Sequence, residues 1–201
     1  MKILALMPAQ KVLMVEAVQS LVAFQADIYN RGDNVNICFT NGHNPVNART
    51  SLANYVSKAN EGDYVLWIDS DHIYAPKKFY TLVEKLEKNN LEMLSAAYLV
   101  RSKGRTTAHG SFLEDGSFKQ HQIEEQSGIT DCDVLGFGFL VMKYSFLKRM
   151  VEKYPNDLFH MDCSNNSTED VYFCRQVKKE GVRICYDADT IIGHLTVVVN
   201  K

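Results

Sequence analysis

The chain has 201 residues and a mass of 22.8 kDa, a size that favours one compact domain over two. Apolar residues make up 46% of it and charged residues 23%, which provides for a sizeable core and excludes intrinsic disorder as the main state. The 22 basic residues nearly balance the 24 acidic residues. This balance excludes attraction to nucleic acid or to an anionic membrane by overall charge, so an anionic ligand needs a local site.

The cysteine pattern and the hydropathy bear on where the protein works. No two cysteines have C-x-x-C spacing, and none lies at zinc-finger spacing from histidines, so we expect reduced and mostly buried thiols in a cytoplasmic protein. No apolar run approaches the roughly 20 residues that cross a bilayer, and Pro8 interrupts the short apolar start of the chain. We therefore expect neither a signal peptide nor membrane insertion.

Strands and helices alternate in the first half of the chain. Residues 2–7 are nearly all apolar, as in a strand buried on both faces. Residues 14–28 follow with the spacing of an amphipathic helix, whose apolar positions include several valines. Further strands are predicted at 35–40 and 64–68. This order implies right-handed crossovers and a parallel sheet, as in a Rossmann-like unit.

Glycine stands at three predicted joints between a helix and the next strand. Gly32, Gly62 and Gly181 each precede an apolar run. Because glycine at the end of a helix readily adopts the left-handed conformation, we expect a left-handed residue at all three joints.

The second half of the chain mixes the two kinds of element. A hairpin is predicted with its turn at Asp115–Gly116. Because no repeat or linker divides the chain, we assign residues 1–201 to a single α/β domain with a mixed, mainly parallel central sheet flanked by helices. The other predicted elements are helices at 76–89, at 144–153 and from Ser167, and strands at 93–100 and 134–142.

Two acidic residues directly follow the predicted strand at 64–68. Asp69 and Asp71 are two residues apart, so in extended backbone they point the same way, and ligands of open α/β sheets bind beyond the carboxyl ends of strands. Convergent carboxylates repel each other unless a cation lies between them, and oxygen ligands suit Mg²⁺ or Mn²⁺. The pattern favours a site for a metal and a diphosphate, and the alternative is an ordinary polar turn.

A second acidic pair, Glu169 and Asp170, stands at the start of a predicted helix. Ser167 with Asp170 three residues later fits a capping box, which is a purely structural role. A carboxylate at a helix N-terminus is also stabilised as the anion, and it can accept the proton of a hydroxyl group when deprotonation comes late in a reaction. We predict that Asp170 is such a base and that Glu169 is its neighbour in the same site.

Other polar residues are expected around the same crevice. By the strand-end rule, Pro8, Gln10 and Thr40 should line it. His194 lies in an otherwise apolar run, where a histidine is either a core residue with a hydrogen-bond partner or a ligand. Arg101, Lys103 and Arg105 form a basic loop that either is solvated or closes over phosphates.

Together these features resemble the GT-A glycosyltransferases, which transfer a sugar from a nucleotide-sugar donor. The resemblance rests on a buried strand that ends in D-x-D, on Thr168-Glu169-Asp170 at the start of a helix, and on His194 near the end of the chain. It covers nearly the whole chain. The run of segments also looks close to the glycosyltransferase domain of a large chlorovirus protein, and a viral chain would act in the host cytoplasm.

The resemblance implies a role for each position. Asp71 and His194 would hold Mn²⁺, or else Mg²⁺, with Asp69 contributing through the ribose or a bound water, and the imidazole favours Mn²⁺. The first half, 1–100, would bind the nucleotide sugar, and the second half, 101–201, would bind the acceptor. Donor-binding residues would be Pro8, Gln10, Thr40, Asn47, Arg49, Asp69, Ser70 and Asp71, and the acceptor would border Gly136, Phe137 and Gly138.

Two of these residues have an equally ordinary structural interpretation. Arg49 could be a surface residue in an i, i+4 pair. Phe137 could pack in the core instead of stacking on a sugar.

We therefore predict a metal-dependent glycosyltransferase that moves a hexose or deoxyhexose from a UDP-sugar to a hydroxyl acceptor such as a glycan. The short loops after the first two strands leave more room for a pyrimidine than for a purine. The acceptor-side loops are also short, so acceptor binding could require a further domain or a partner. The alternatives are a phosphohydrolase with Asp69 as nucleophile, a sugar-1-phosphate nucleotidyltransferase and a non-catalytic carbohydrate-binding module.

Overall fold

The computed structural model describes residues 1–9, 13–41, 44–59, 61–101, 104–114, 118–161 and 167–195. The helices are α1 (Val15–Asn30), α2 (Pro45–Lys58), α3 (Lys77–Lys88), α4 (Tyr144–Lys153) and α5 (Glu169–Lys179), with a short 3₁₀ turn at Ile123–Glu125. The strands are β1 (Lys2–Pro8), β2 (Asn34–Thr40), β3 (Tyr64–Ile68), β4 (His72–Ile73), β5 (Met93–Ala97), β6 (Thr106–Phe112), β7 (Phe118–Gln122), β8 (Ile129–Asp131), β9 (Phe139–Lys143), β10 (Cys185–Ile191) and β11 (Gly193–His194).

Seven strands form the central sheet, in the order β2-β1-β3-β9-β5-β10-β8. Strand β1 pairs in parallel with β2 and β3, and β5 pairs in parallel with β10. Strand β9 is antiparallel to β3 and β5, and β8 is antiparallel to β10. Five of the seven strands therefore run in one direction, which confirms the predicted single-domain α/β fold with a mixed, mainly parallel sheet.

Helices cover both faces of this sheet, and alternate strand residues pack on opposite sides. Val65 and Trp67 of β3 face the core that contains residues of α2, α4 and α5, whereas Leu66 and Ile68 face the core that contains residues of α1 and α3. Burial on both faces explains why β1 and β3 are continuous apolar runs and not alternating ones.

The buried face of α1 agrees only in part with the expected one, which included Leu21 and Ile28 as well as the valines. Its buried residues are Ala17, Leu21, Phe24 and Ile28, whereas Val15, Val18 and Val22 are exposed. Several valines satisfied the apolar spacing equally well, so the direction of the helix face was decided by packing against the sheet.

The glycine joints follow the prediction at two of three positions. Gly32 and Gly181 have φ angles of +77° and +68°, so both joints use the left-handed conformation. Gly62 does not, because α2 ends at Lys58, several residues earlier. A Cβ atom on Gly62 would lie 2.8 Å from the ring of Tyr144, so close packing is the reason for glycine there.

Strand lengths in the second half also depend on packing. The predicted hairpin is present as the antiparallel pair of β6 and β7, and its predicted turn, Asp115–Gly116, lies outside the described residues. The apolar run at 134–142 forms a strand only from Phe139. Its earlier part leaves the sheet to pass beneath Tyr98, whose hydroxyl accepts a hydrogen bond from the amide of Gly138 at 3.2 Å.

Two further expectations concern cysteines and membranes. Cys38, Cys132, Cys174 and Cys185 are free thiols, and all but Cys38 are buried. Cys163 lies outside the described residues. Among the described segments, no helix combines the length and the apolar character needed to cross a membrane.

Candidate active site

A cavity of about 650 Å³ opens at the carboxyl ends of β1 and β3. Its walls come from elements far apart in the chain: the end of β1, the start of α2, the turn after β3, the segment after β5, the start of α5, and β11. This is where the strand-end rule places a ligand site in an open α/β sheet. The lining residues are Pro8, Ala9, Met14, Pro45, Ala48, Arg49, Asp69, Ser70, Asp71, His72, Tyr98, Arg101, Glu169 and His194.

A two-stranded sheet outside the central one brings three metal-ligating residue types together. Strands β4 and β11 pair antiparallel, with His194 directly opposite His72, and the amide of Leu195 donates to the carbonyl of Asp71 at 2.8 Å. The two imidazole rings stack with centroids 4.5 Å apart and planes 11° apart. One ligand atom from each of Asp71, His72 and His194 lies within 4.8 Å of the others.

The Asp71 carboxylate is surrounded by cationic or potentially cationic groups. Its Oδ1 lies 3.0 Å from Nδ1 of His72, and its Oδ2 lies 3.6 Å from Nε2 of His194 and accepts from the Arg101 guanidinium. Burial alone would raise the pKa of Asp71, but His194 and His72 outweigh it and hold the pKa well below the ordinary value. The carboxylate is therefore ionised, as a metal ligand must be.

His194 is oriented by a backbone carbonyl. Its Nδ1 donates to the carbonyl oxygen of Leu99 at 2.9 Å, because that oxygen can only accept. This bond directs Nε2 towards Asp71 and gives the tautomer in which Nε2 carries the free lone pair. The nearby Asp71 carboxylate raises the pKa of His194.

His72 is a site residue to which the sequence assigned no role. Its side chain is 1% exposed. Its Nδ1 faces the Asp71 carboxylate at 3.0 Å, whereas its Nε2 has no hydrogen-bond partner among the described residues. Nδ1 is therefore the nitrogen that could bind a metal ion together with Asp71. The only sequence signal was its position directly after Asp71, because the partner that stacks on it is more than a hundred residues away.

Arg49 joins two acidic residues of the cavity. Its Nη2 donates to Oδ1 of Asp69 and its Nε donates to Oε1 of Glu169, each at 3.1 Å. Burial opposes the charge of Arg49, but the carboxylates of Asp69 and Glu169 raise its pKa. The side chain is only 7% exposed, so the alternative of a surface i, i+4 pair is wrong.

The two residues of the predicted acidic pair differ in their access to the cavity. Glu169 is 8% exposed and lines the cavity, whereas Asp170 is half-buried and is not among the lining residues. Burial raises the pKa of Asp170, against a hydrogen bond from the Thr168 hydroxyl. The helix begins at Glu169 with Thr168 as its N-cap, so the capping box with Ser167 at the cap position is wrong.

Other predicted donor residues are only partly brought together. Pro8 and Ser70 line the cavity, but Thr40 and Asn47 do not. Thr40 ends β2, and Asn47 is exposed in the first turn of α2, where its amide donates to the Asn44 side chain at 2.8 Å. Gln10 lies outside the described residues.

The segment predicted to border an acceptor has a different role for its side chain. Phe137 is 1% exposed and packs edge-to-face against Trp67 and Phe173. The Arg49 guanidinium lies 4.6 Å from the centre of its ring. The ring therefore belongs to the core, where it packs against the Arg49 guanidinium. It is not exposed to a sugar in the cavity. Gly136 and Gly138 are likewise not among the lining residues.

A family model described as "Glycosyl transferase family 2" matches residues 18–150 of this chain, which is more than half of it. The matched segment includes Arg49, the D-x-D sequence and His72, and it ends before α5 and β11. No curated protein matches the chain significantly in sequence.

Solved structures show the same fold. A197 from STIV superposes with a TM-score of 0.61 at 16% identity, over 100% of this chain and 97% of that chain. GalNAc-T7, solved with UDP, GalNAc and Mn²⁺, gives 0.64 at 10% identity, over 97% of this chain and 43% of that chain. S. aureus TarS 1–349, solved with UDP-GlcNAc, gives 0.58 at 14% identity, over 100% of this chain and 60% of that chain. The likeness to a chlorovirus domain stays a prediction.

Proposed function

The chain belongs to glycosyl transferase family 2, and we propose that it is a metal-dependent enzyme using a UDP-sugar as donor. It would transfer a hexose or deoxyhexose to a hydroxyl group of an acceptor such as a glycan. The observation that carries the proposal is the convergence of Asp71, His72 and His194 in a cavity that also contains Glu169.

The residues of the cavity fit a divalent metal ion. One ionised carboxylate and two imidazoles, of which the buried His72 directs its Nδ1 towards Asp71, form a mixed oxygen and nitrogen ligand set that suits Mn²⁺ better than Mg²⁺. When bound, the ion would act as a Lewis acid that offsets the negative charge growing on the departing diphosphate. That GalNAc-T7 was solved with Mn²⁺ supports this choice of metal.

We assign donor binding, acceptor positioning and proton removal to the acidic residues around Arg49. Asp69 shares Arg49 with Glu169, so these two carboxylates are held at a constant separation. We assign Asp69 to the ribose of the donor and Glu169 to the positioning of the acceptor. Asp170 follows Glu169 in the first turn of α5 and is close enough to Arg49 to interact with its charge, so we assign it to remove the proton of the acceptor hydroxyl. Burial raises its pKa, which makes it a stronger base than an ordinary aspartate.

The metal site is tested by Mn²⁺ titration of the wild type and of His72→Ala, His194→Ala and Asp71→Asn. We expect each variant to bind Mn²⁺ at least about tenfold more weakly, as loss of a ligand or its support commonly causes. His160→Ala is the control, since His160 is exposed and does not line the cavity. Thermal unfolding of each variant checks the fold, and unchanged Mn²⁺ affinity in the folded variants contradicts the site.

Donor choice is tested by calorimetry with UDP, GDP, CDP and ADP at saturating Mn²⁺. We expect UDP to bind most tightly, by about 1 to 3 kcal/mol, the scale of one or two hydrogen bonds to a buried base edge. Structures of GalNAc-T7 with UDP and of TarS with UDP-GlcNAc support this donor class. Equal or tighter binding of GDP would refute the uridine assignment while leaving the transferase proposal in place.

Consumption of the donor decides whether the protein is an enzyme. We expect Mn²⁺-dependent release of UDP from a UDP-sugar, accelerated by a suitable acceptor. A protein that binds sugars but never consumes a nucleotide sugar would be a carbohydrate-binding module instead. A covalent phosphate trapped on Asp69 would indicate a phosphohydrolase.

A further inference from the structure

Arg101 lines the cavity and forms an ion pair with Asp71, which is a proposed metal ligand. It follows β5, and its guanidinium donates to Oδ2 of Asp71, the oxygen that also faces His194. The backbone just before it is anchored, because the amide of Val100 donates to the carbonyl of Thr106 at 2.9 Å. The backbone next to Arg101 is therefore held in place, and the guanidinium lies at the edge of the cavity.

The two arginines of the cavity differ in how firmly they are held. Arg49 is buried, bonded to two carboxylates and supported by the ring of Phe137. The Arg101 side chain is 40% exposed, and among the described residues Asp71 is its one ion-pair partner. A partly exposed single ion pair contributes little to stability, so the Arg101 guanidinium can leave Asp71 at small cost.

A guanidinium and a divalent cation compete for the same carboxylate. A metal ion held by Asp71, His72 and His194 would use the Asp71 carboxylate and would place a double positive charge next to Arg101. Like charges at such short range repel. Because Oδ2 of Asp71 faces both Nε2 of His194 and Arg101, a metal ion bound between Asp71 and His194 is expected to displace the guanidinium from Oδ2.

The released guanidinium remains in the cavity, where the donor would place its diphosphate. The planar guanidinium fits phosphate oxygens through paired N–H donors and stays charged at any working pH. A diphosphate bound to the metal would thus lie close to the Arg101 guanidinium, which no longer pairs with Asp71.

Resting on the proposed function, we infer that Arg101 has two successive partners. In the metal-free protein it pairs with Asp71 and adds to the compensation that His72 and His194 give to that carboxylate. In the complex with metal and donor it binds the diphosphate. Arg101 is thereby a diphosphate-binding residue whose release is coupled to metal binding.

The inference predicts effects of opposite sign for one substitution. In Arg101→Ala, Mn²⁺ should bind about two- to fivefold more tightly without nucleotide, because a competing surface ion pair is gone. UDP at saturating Mn²⁺ should bind about tenfold more weakly or worse, because a charged hydrogen bond is lost. Arg101→Lys keeps the charge but not the paired donors, so its Mn²⁺ affinity should stay near the wild-type value and its UDP affinity should be intermediate.

Calorimetry with Mn²⁺ alone and then with UDP at saturating Mn²⁺ measures both affinities. Arg105→Ala is the matched control: Arg105 is exposed nearby, pairs with Glu124 and does not line the cavity, so both affinities should stay unchanged. If the wild type binds both ligands but Arg101→Ala changes neither, or weakens both, the inference is overturned and the proposed function stands. If the wild type binds neither Mn²⁺ nor UDP, both fail.

Discussion

Arg49 shows how a single buried residue organises this site. Its guanidinium lies between Asp69 and Glu169, which are a hundred residues apart in sequence. A buried charge is tolerated only when it is paired and hydrogen-bonded, and here both carboxylates also face the cavity. The pairing holds the proposed donor side and acceptor side of the site in one rigid arrangement.

At the same scale, Asp170→Asn and Glu169→Gln separate a base from a positioning residue. We expect Asp170→Asn to keep the fold and the UDP affinity but to lower transfer by roughly 10²- to 10⁴-fold, the usual value of general-base assistance. In Glu169→Gln the amide oxygen still accepts from Arg49, so we expect mainly a higher KM for the acceptor.

Steady-state transfer rates and UDP calorimetry measure both effects. A loss below about tenfold in Asp170→Asn would leave this residue with a structural role at the start of α5. A larger loss of kcat in Glu169→Gln than in Asp170→Asn would make Glu169 the base.

Among the elements, the segment before β9 shapes the metal site without lining the cavity. It packs against Tyr98 and His72, and Gly138 is the residue that approaches His72: a Cβ atom there would lie 2.5 Å from Nε2 of His72. Tyr98 packs edge-to-face on the His72 ring at 4.6 Å. The ring of His72 is thus fixed on one side by Tyr98, on another by His194, and from below by the glycine.

Gly138→Ala should therefore impair metal binding through His72. We expect a destabilisation of about 1 to 3 kcal/mol, as for overpacking of a core, and Mn²⁺ affinity at least about tenfold lower, as for disturbed support of a ligand. Denaturant unfolding and Mn²⁺ titration measure the two effects.

Gly32→Ala is the control for general destabilisation. Gly32 has a left-handed φ angle and lies at the end of α1, so alanine should cost about 1 to 2 kcal/mol there without changing Mn²⁺ affinity. Equal Mn²⁺ affinities in the two glycine variants would mean that Gly138 serves the fold alone.

On the scale of the whole molecule, the two halves of the chain share one sheet. Strand β9 belongs to the second half and lies between β3 and β5 of the first half. The small sheet of β4 and β11 likewise joins the middle of the chain to its C-terminal part. Both halves of the chain are therefore needed to complete the central sheet and to assemble the site.

Strand β6 contributes a histidine to the protein interior. We expect this histidine to make the free energy of unfolding depend on pH. His109 is fully buried, its Nε2 lies 3.1 Å from Oγ of Ser95, and its ring stacks on Tyr186 at 4.3 Å. Burial, together with nearby His121, lowers the pKa of His109 to about 3. The unfolded chain takes up this proton near pH 6.5, so between about pH 6.5 and 3 the unfolded state binds more protons and stability falls as pH falls.

His109→Gln should flatten this dependence. We expect the slope of the unfolding free energy against pH to decrease by up to about 1.4 kcal/mol per pH unit inside that window. At neutral pH we expect a modest loss of stability and no change of slope. Urea unfolding of metal-free protein at several pH values measures it. The exposed His160→Gln serves as control, and an identical slope in wild type and His109→Gln would contradict the buried neutral histidine.

Local patterns in the sequence were sufficient to predict the alternation of strands and helices from β1 to β5, the sheet class and the acidic turn after β3, but not the short strands β4, β8 and β11. Apolar periodicity and strand-end chemistry depend on residues only a few positions apart, so they can be read directly from the chain. Only the tertiary structure decided that His72 faces His194, that Arg49 is buried between Asp69 and Glu169, and that Phe137 belongs to the core. Each of these depends on strand register and helix placement, which the packing of the whole sheet determines and no local pattern records.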